Sequence, residues 1–330
     1  MKKNIVIMTL LSVVLILNGC SSKTAKSESE YSSFPEHSID VIIPFGEGSA
    51  SDTFGRKFSQ IITKESKNNY QPVNKDGSGG LSGMLHAYKQ DNDGYTIMEV
   101  TPSHIIGDVL EKGKDIKFLD EFEPLAQIQS DVYVLSVSNN SDIKNYEDLI
   151  EKGKKEKITF GGISPAGLDD FAINDFAKKA GIKTQFIPYP SGSEVKAAAL
   201  GGEVDVYVDK VVNVVDYVKA KRVKPLVVFG DERISELDEL KDTPSTKEKG
   251  IESTIGSWRG FVVKKDTPPE VKEKLTKQLK MAYDTKEYKK FAHDNFVDIG
   301  EGYLEDDEFE KKMNRERKKF EKVAQDLDMK

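Results

Sequence analysis

The 330-residue chain contains very little cysteine and histidine. Its single cysteine, Cys20, excludes a disulfide framework and a cysteine-based zinc site. The 4 histidines are scattered and form no H-E-x-x-H pair, so we predict neither a metal site nor a cofactor of the protein's own. Lysine and arginine (49) are outnumbered by aspartate and glutamate (56), and the net charge of −7 argues against nucleic acid as a partner.

Long apolar runs are also scarce, and the longest one lies at the N-terminus. The run from Ile5 to Leu17 has 13 residues and follows Lys2 and Lys3. As a helix it would span about 20 Å, which is shorter than a hydrocarbon core of about 30 Å. A basic start followed by a short apolar run is typical of a secretory signal.

The signal ends in Leu17-Asn18-Gly19-Cys20, which resembles a bacterial lipobox. We therefore predict a lipoprotein signal peptide over 1–19, followed over 20–34 by a lipidated Cys20 and a flexible tether rich in serine, lysine and glutamate. The mature protein would be extracytoplasmic and lipid-anchored to the cell membrane. The alternative is an ordinary signal with an incidental cysteine.

The rest of the chain alternates apolar runs with amphipathic segments. Ile39 to Phe45 is nearly all apolar, as in a strand buried on both faces. Phe54, Phe58 and Ile61 then recur at helical spacing. Repeated strand–helix alternation predicts an α/β fold with parallel sheet, and the length predicts about two domains.

Three strand–loop–helix junctions are rich in glycine and serine, namely Gly46–Ser51, Gly162–Gly167 and Pro190–Ser193. The start of a helix presents unpaired N–H groups and a partial positive charge, so each junction can hold a carboxylate or phosphate. Ligands of parallel α/β sheets bind at this end of the strands. The alternative is that these residues only cap helices.

Catalytic motifs are incomplete. Gly46-Glu47-Gly48 lacks the third glycine of a dinucleotide fingerprint, and the chain has no phosphate-binding P-loop. The segment from Gly162 to Ala166 approaches a nucleophile elbow, but alanine replaces its last glycine and His293 is the only histidine that follows. We predict that the protein is not an enzyme and has no catalytic residues.

Several motifs occur in the order found in one receptor family. These are Pro44–Asp52 (P-F-x-x-G-x-x-x-D), Asn74–Gly80 (N-x-x-G-x-G-G), Asp93–Thr96 (D-G-Y-T), Pro188-Tyr189, Leu200–Asp205 (L-G-G-x-V-D), Trp258–Gly260 and Thr267-Pro268. Together they resemble the substrate-binding proteins of tripartite tricarboxylate transporters, the Bug-type receptors. The resemblance runs from about residue 34 to about residue 325.

The resemblance implies a two-domain, periplasmic-binding-protein-like (type II) flytrap with the ligand cleft between its domains. Domain 1 would comprise 35–132 plus 254–330, and domain 2 would comprise 133–253. The expected function is capture of a small carboxylate, either citrate-like or a dicarboxylate, by domain closure. The protein would deliver this ligand to membrane permease subunits and would itself be a monomer.

The resemblance also implies a set of ligand-binding residues. They are Phe45, Gly46, Ser49, Ala50 and Ser51, with Asp52 bracing their loop, then Gly162, Ser164, Ala166 and Asp169, then Tyr189, Ser193, Asp209 and Arg259. Arg259 is the expected cation for a ligand carboxylate, because its planar fork matches two oxygens. We expect it to line a wet cleft, with Trp258 beside that cleft. The alternative for Trp258 is a position in the buried core.

This chain departs from the family pattern in its acidic residues. Leu168, Asp169 and Asp170 stand where many members carry threonine, serine and histidine, and Glu47 and Glu194 also bring acid near the expected cleft. These carboxylates suit a ligand with an ammonium group, such as an acidic amino acid, or with a chelated metal ion. The alternative is that these side chains face water. Two other functions remain open, an extracellular enzyme and a scaffold for a sensor.

Overall fold

The structure is a computed structural model that describes residues 31–253 and 255–329, so the signal peptide and Cys20 lie outside the described residues. Its strands are β1 (Ile39–Ile43), β2 (Tyr70–Asn74), β3 (Thr96–Val100), β4 (Phe122–Asp131), β5 (Tyr133–Ser138), β6 (Ile158–Ile163), β7 (Thr184–Tyr189), β8 (Val206–Lys210), β9 (Val223–Val228), β10 (Ser257–Lys264) and β11 (Leu304–Glu305). Its α-helices are α1 (Ala50–Ser66), α2 (Leu81–Tyr88), α3 (Pro102–Val109), α4 (Phe118–Glu121), α5 (Tyr146–Lys155), α6 (Leu168–Ala180), α7 (Gly192–Gly201), α8 (Val211–Lys219), α9 (Pro269–Tyr283), α10 (Lys286–Asp294) and α11 (Asp306–Asp326).

The strands form two separate sheets. The 6-stranded sheet has the order β11-β4-β10-β3-β1-β2, and the 5-stranded sheet has the order β7-β6-β8-β5-β9. In the first sheet β1 runs parallel to β2 and β3, and in the second β6 runs parallel to β7 and β8. The predicted α/β fold class is therefore confirmed.

The expectation of parallel sheets was too simple, because both sheets are mixed. In the first sheet β10 pairs antiparallel with β3 and β4, and in the second β5 pairs antiparallel with β8 and β9. The chain passes from β4 to β5 through Val132 alone, and no crossover helix intervenes. β4 and β5 belong to different sheets, so they are not bound by the parallel direction that a strand–helix–strand unit imposes on two strands of one sheet.

The core runs continuously between the two sheets. One buried apolar cluster includes Ile42 and Met98 of the first sheet together with Leu135 and Phe160 of the second. The C-terminal helix α11 buries a stripe of Phe309, Met313, Phe320 and Val323. Phe320 of α11 packs edge-on against Phe171 of α6, with the ring centroids 5.7 Å apart.

No helix in the described residues is long and apolar enough to cross a membrane. The compact unit that contains both sheets comprises residues 35–330. The boundaries predicted at 132/133 and 253/254 follow the passages between the sheets, and they remain predictions.

Candidate functional site

A cavity of about 840 Å³ lies at the ends of β1, β3, β6 and β7. The starts of α1, α3, α6 and α7 contribute to its lining. Ten of the predicted site residues line it: Phe45, Gly46, Ser49, Ala50, Ser51, Ser164, Ala166, Asp169, Ser193 and Arg259. The first N–H groups of each helix have no partner within the helix, so several unpaired donors are concentrated around one space.

The loop before α1 is held by two local contacts. The Ser49 hydroxyl accepts a hydrogen bond from the Asp52 N–H at 3.1 Å, which caps the helix. In return, Asp52 accepts from the Gly48 N–H at 2.9 Å and also pairs with Arg56 at 2.7 Å. Burial alone would raise the pKa of Asp52, but the hydrogen bonds from Gly48 and Asn74 and the Arg56 charge outweigh it and lower that pKa. Asp52 therefore braces the loop from behind.

The loop before α6 has a similar brace, but its acids form no ion pair within residues 31–253 and 255–329. Asp170 accepts from the Ala166 N–H at 2.9 Å and from the Asn174 side chain at 2.6 Å. Asp169 accepts from the Ile163 N–H at 2.8 Å and from the Tyr133 hydroxyl at 2.7 Å. Burial raises the pKa of both carboxyls, even though these hydrogen bonds lower it. Both acids are thus engaged in holding their own loop.

The loop before α7 is capped by Ser191, whose hydroxyl contacts Glu194 N–H at 3.4 Å and the Glu194 carboxylate at 3.0 Å. Glu194 is therefore engaged with its own helix start, and it does not line the cavity. Glu47 is also absent from the lining, and 83% of its side chain is exposed. The expectation that these two residues bring acid into the cleft is not met.

Arg259 lines the cavity but differs from the cation that we expected. Only 3% of the residue is exposed. Its guanidinium pairs with Asp131 at 2.5 Å and donates to the Ser51 hydroxyl at 3.3 Å. The burial of Arg259 would lower its pKa, but Asp131 and Glu99 outweigh this effect and raise it further. We expected Arg259 to lie in a wet cleft and to contribute little to the core. This expectation is wrong, because Arg259 is buried and already paired with Asp131.

Glu99 of β3 completes this buried group. It is fully buried, and its Oε1 lies 3.6 Å from Arg259 Nε. Neither carboxylate oxygen has a hydrogen-bond partner within the described residues. Burial raises the pKa of Glu99 to about 8, although the charge of Arg259 opposes the shift. Below that pH Glu99 is held as a neutral acid.

Trp258 does not lie beside the cavity. It is 1% exposed, stacks edge-on with Phe309 at 5.0 Å, and donates from Nε1 to Glu316 at 2.8 Å. Successive side chains of a strand point to opposite faces, so Arg259 faces the cavity while Trp258 faces α11. The expected position of Trp258 at the cleft is wrong.

Four predicted site residues stay outside the lining: Asp52, Gly162, Tyr189 and Asp209. Gly162 serves packing, since a Cβ there would meet Phe186 at 2.7 Å and Asp169 at 2.9 Å. Asp209 accepts from the Asn213 side chain at 2.8 Å and lies 3.5 Å from Lys196. These contacts give Gly162, Asp52 and Asp209 roles behind the cavity surface.

Several lining residues were missed from sequence, notably Thr101, Ser103, His104, Lys112, Tyr133, Lys210 and Ser257. Thr101-Pro102 was the available signal, because threonine before proline after a predicted strand marks the start of a helix. In the structure the Thr101 N–H donates a hydrogen bond to His104 Nδ1 at 3.2 Å across this helix start. Burial lowers the pKa of His104 to about 4, so at neutral pH it adds no positive charge.

The chain belongs to the tripartite tricarboxylate transporter receptor family, whose sequence profile matches residues 58–329. It is 25% identical over 295 residues to the "UPF0065 protein in the TAR-I ttuE-ttuC' intergenic region" of Agrobacterium vitis, covering 88% of this chain and 84% of the relative. The predicted family is thus confirmed, and with it a solute-binding receptor in place of an enzyme.

Solved structures show the same fold. A TctC solute-binding protein from Polaromonas superposes with a TM-score of 0.77 at 22% identity, covering 89% of this chain and 99% of the other. MatC from Rhodopseudomonas palustris, solved with bound malate, gives 0.71 at 19% identity, with 88% and 100% covered. An R. palustris protein with adipate gives 0.75 at 19% identity, with 88% and 97% covered. The two-sheet flytrap fold is confirmed by these likenesses.

Proposed function

We propose that this receptor captures a small carboxylate in the 840 Å³ cavity and delivers it to a tripartite transporter permease. The observation that carries the proposal is the convergence of four helix starts, those of α1, α3, α6 and α7, on one space. Unpaired N–H groups and the positive ends of helix dipoles favour an anion there. Ser103 and Ser193 add hydroxyl groups to the same lining.

A carboxylate without an ammonium group is favoured over an amino acid. Glu47 and Glu194 lie outside the cavity lining. The carboxylates of Asp169 and Asp170 accept hydrogen bonds from loop N–H groups and from neutral side chains. The acidic residues that suggested a zwitterion therefore have other partners. The relatives solved with malate and adipate are consistent with a carboxylate ligand.

Ligand capture would proceed by closure of the two predicted domains around the cavity, with the receptor acting as a monomer. Cys20 would carry a lipid that keeps the receptor at the outer face of the cell membrane, near its permease. The lipobox-like run ending at Cys20 supports this part. Replacing Cys20 by serine should release the protein into the medium or periplasm. A native protein that begins at another residue and carries no acyl mass would contradict the anchor.

The ligand class can be tested with a thermal-shift screen of di- and tricarboxylates, with and without Mg²⁺, beside acidic amino acids. A ligand that binds only the native state stabilises it by about 2.7 kcal/mol at 100 times its Kd. We expect carboxylates to raise the melting temperature and glutamate and aspartate to have no effect. Stabilisation that requires Mg²⁺ would indicate a chelate as the ligand. Turnover of any candidate by the purified protein would contradict a receptor.

The site itself can be tested with the double variant Ser103→Ala/Ser193→Ala, which removes two lining hydroxyls without removing a helix cap. We expect it to weaken carboxylate binding at least tenfold, since one lost hydrogen bond to a charged group costs about 1.5–3 kcal/mol and about 1.4 kcal/mol is a factor of ten. The exposed Ser235→Ala is the control. Equal affinity of the double variant and the control would place the ligand elsewhere.

A further inference from the structure

The polar end of the cavity is defined by Ser51, Gly192, Lys210 and Arg259. Arg259 contacts Ser51 at the start of α1. Arg259 and Lys210 share Asp131, at 2.5 Å and 3.9 Å. Lys210 follows Asp209, which lies 3.9 Å from the Cβ position of Gly192 at the start of α7. These contacts connect the starts of α1 and α7 at one end of the cavity, where the cations are already near a carboxylate.

The apolar end is defined by Leu81, Met84, Ile106 and Lys112. Leu81 and Met84 are three residues apart on one face of α2, and Ile106 belongs to α3. A Cβ on Gly113 would lie 3.5 Å from Met84 Cε, which places the Lys112–Gly113 turn beside these side chains. A ligand that reaches Lys112 would therefore lie against these apolar side chains.

Lys112 is separated from the start of α3 by the length of that helix. The start of α3 lies near the first loop, since the rings of Phe45 and His104 are 6.2 Å apart. From Ser103 to Val109 the helix advances about 9 Å, and Lys112 lies beyond its end. Residues from both ends of α3 line the same cavity. A cavity of 840 Å³ is also near the upper end of the range of ligand pockets.

Lys112 differs from the cations of the polar end in having no carboxylate partner. Within the described part of the chain, its Nζ forms one hydrogen bond, to the Ala166 carbonyl oxygen at 3.3 Å, and no ion pair. Lys112 is an exposed residue, although partial burial of its ammonium lowers the pKa of Lys112. Since no carboxylate of the described residues pairs with it, this ammonium gains from an anionic partner, and the ligand can supply one.

We propose that the ligand is an elongated dicarboxylate with an apolar body, and that Lys112 binds its second carboxylate. This inference rests on the proposed function and narrows it. The first carboxylate lies at the polar end, on the starts of α1 and α7. The methylene chain packs against Leu81, Met84 and Leu168. Leu168 at the start of α6 also lines the cavity, and its apolar side chain suits a methylene chain better than a hydroxylated acid.

The test is calorimetric titration of the purified protein with succinate, adipate, suberate, octanoate and citrate. Each buried methylene contributes about 0.8 kcal/mol, so affinity should rise about fourfold per added methylene from succinate to suberate. Octanoate has the length of suberate but lacks the second carboxylate, and it should bind at least tenfold more weakly. Lys112→Gln keeps a donor for Ala166 and should abolish the difference between suberate and octanoate.

Lys114→Gln is the matched control, because Lys114 is an exposed lysine of the same turn that does not line the cavity. It should leave the preference for suberate over octanoate intact. Binding of citrate or succinate as tight as that of suberate would overturn the inference while supporting the proposed function. The inference is also overturned if Lys112→Gln and Lys114→Gln behave alike. Failure of every carboxylate to bind would contradict the proposed function itself.

Discussion

The two walls of the cavity hold their carboxylates in different ways. Behind the first loop, Asp52 is paired with Arg56 and Asp131 is paired with Arg259, and the pKa of each carboxyl is lowered because these contacts outweigh its burial. Behind the second loop, Asp169 is held by neutral donors, and burial raises its pKa. Asp170 follows the same pattern.

This difference shows that an acidic residue near a cavity does not by itself set the charge that a ligand meets. On the first wall the protein's cations are used to balance its own acids. On the second wall Asp169 and Asp170 order a loop, and neither forms an ion pair within the described residues. The chemistry offered to a ligand is then the N–H groups without a partner in their helix, the hydroxyl groups, and Lys112, which has no carboxylate partner in the described structure.

The largest expected effect is the loss of Arg259, which would break the balance of the first wall. Arg259→Ala leaves the buried Asp131 with Lys210, at 3.9 Å, in place of its close partner, and breaking a buried pair in this way costs about 3–5 kcal/mol. Urea unfolding measures the loss. Arg56→Ala is the control, since 44% of the Arg56 side chain is exposed and a surface pair contributes about 1 kcal/mol or less. Equal stability of Arg259→Ala and the native protein would refute the buried pair.

The second effect is pH dependence from Glu99, whose pKa is raised by burial to about 8 against an ordinary 4.5. The folded protein keeps this proton where the unfolded chain has lost it. The stabilisation is complete below the ordinary pKa and is lost as the pH rises toward about 8, by up to about 1.4 kcal/mol per pH unit. Glu99→Gln should remove this slope between pH 5 and pH 8. A slope that persists in the variant would assign it to other groups.

A third comparison neutralises the two bracing acids. Asp52→Asn should destabilise by about 1–2 kcal/mol, because the native state stabilises the ionised form through Gly48 and Arg56. The contribution of Asp52 is present above its ordinary pKa and lost on acidification. Asp170→Asn should cost about 1 kcal/mol less, because burial already disfavours its ionised form. Thermal unfolding of the two variants at pH 7 measures both losses of stability. A larger loss for Asp170→Asn than for Asp52→Asn would contradict the comparison.

The smallest effect concerns backbone strain in the two loops. The first loop has glycine at its positive φ, Gly48 at 76°, whereas the second has Ala166 at 51°. Gly48→Ala should cost about 1 kcal/mol, and Ala166→Gly should stabilise by less than about 1 kcal/mol. Ala197→Gly, at an exposed site inside α7, is the control and should cost about 0.5–1 kcal/mol. Destabilisation by Ala166→Gly equal to the control would show that Ala166 carries no strain.

Most of the fold and three of the four helix starts at the cavity could be predicted from the sequence. Strand and helix periods are local, and so are glycine and serine at a helix start, so Gly46–Ser51, Gly162–Gly167 and Pro190–Ser193 were visible as junctions. The fourth start, at Thr101-Pro102, carried the same kind of signal without the glycines. Lys112 had no local signal, because it lies in a turn after an 8-residue helix.

The sequence by itself determined the family, the α/β alternation and the loops that meet at the cavity, because each of these is encoded by short patterns along the chain. Only the tertiary structure decided which side chains face the ligand space. β10 is buried on both faces, so its sequence lacks the alternation of apolar and polar residues that would distinguish the face of Arg259 from the face of Trp258. Whether a cation is free or paired depends equally on residues distant in the chain. Asp131 is paired with Arg259 although the two residues are 128 positions apart in the chain, and Lys112 has no carboxylate partner in the described structure.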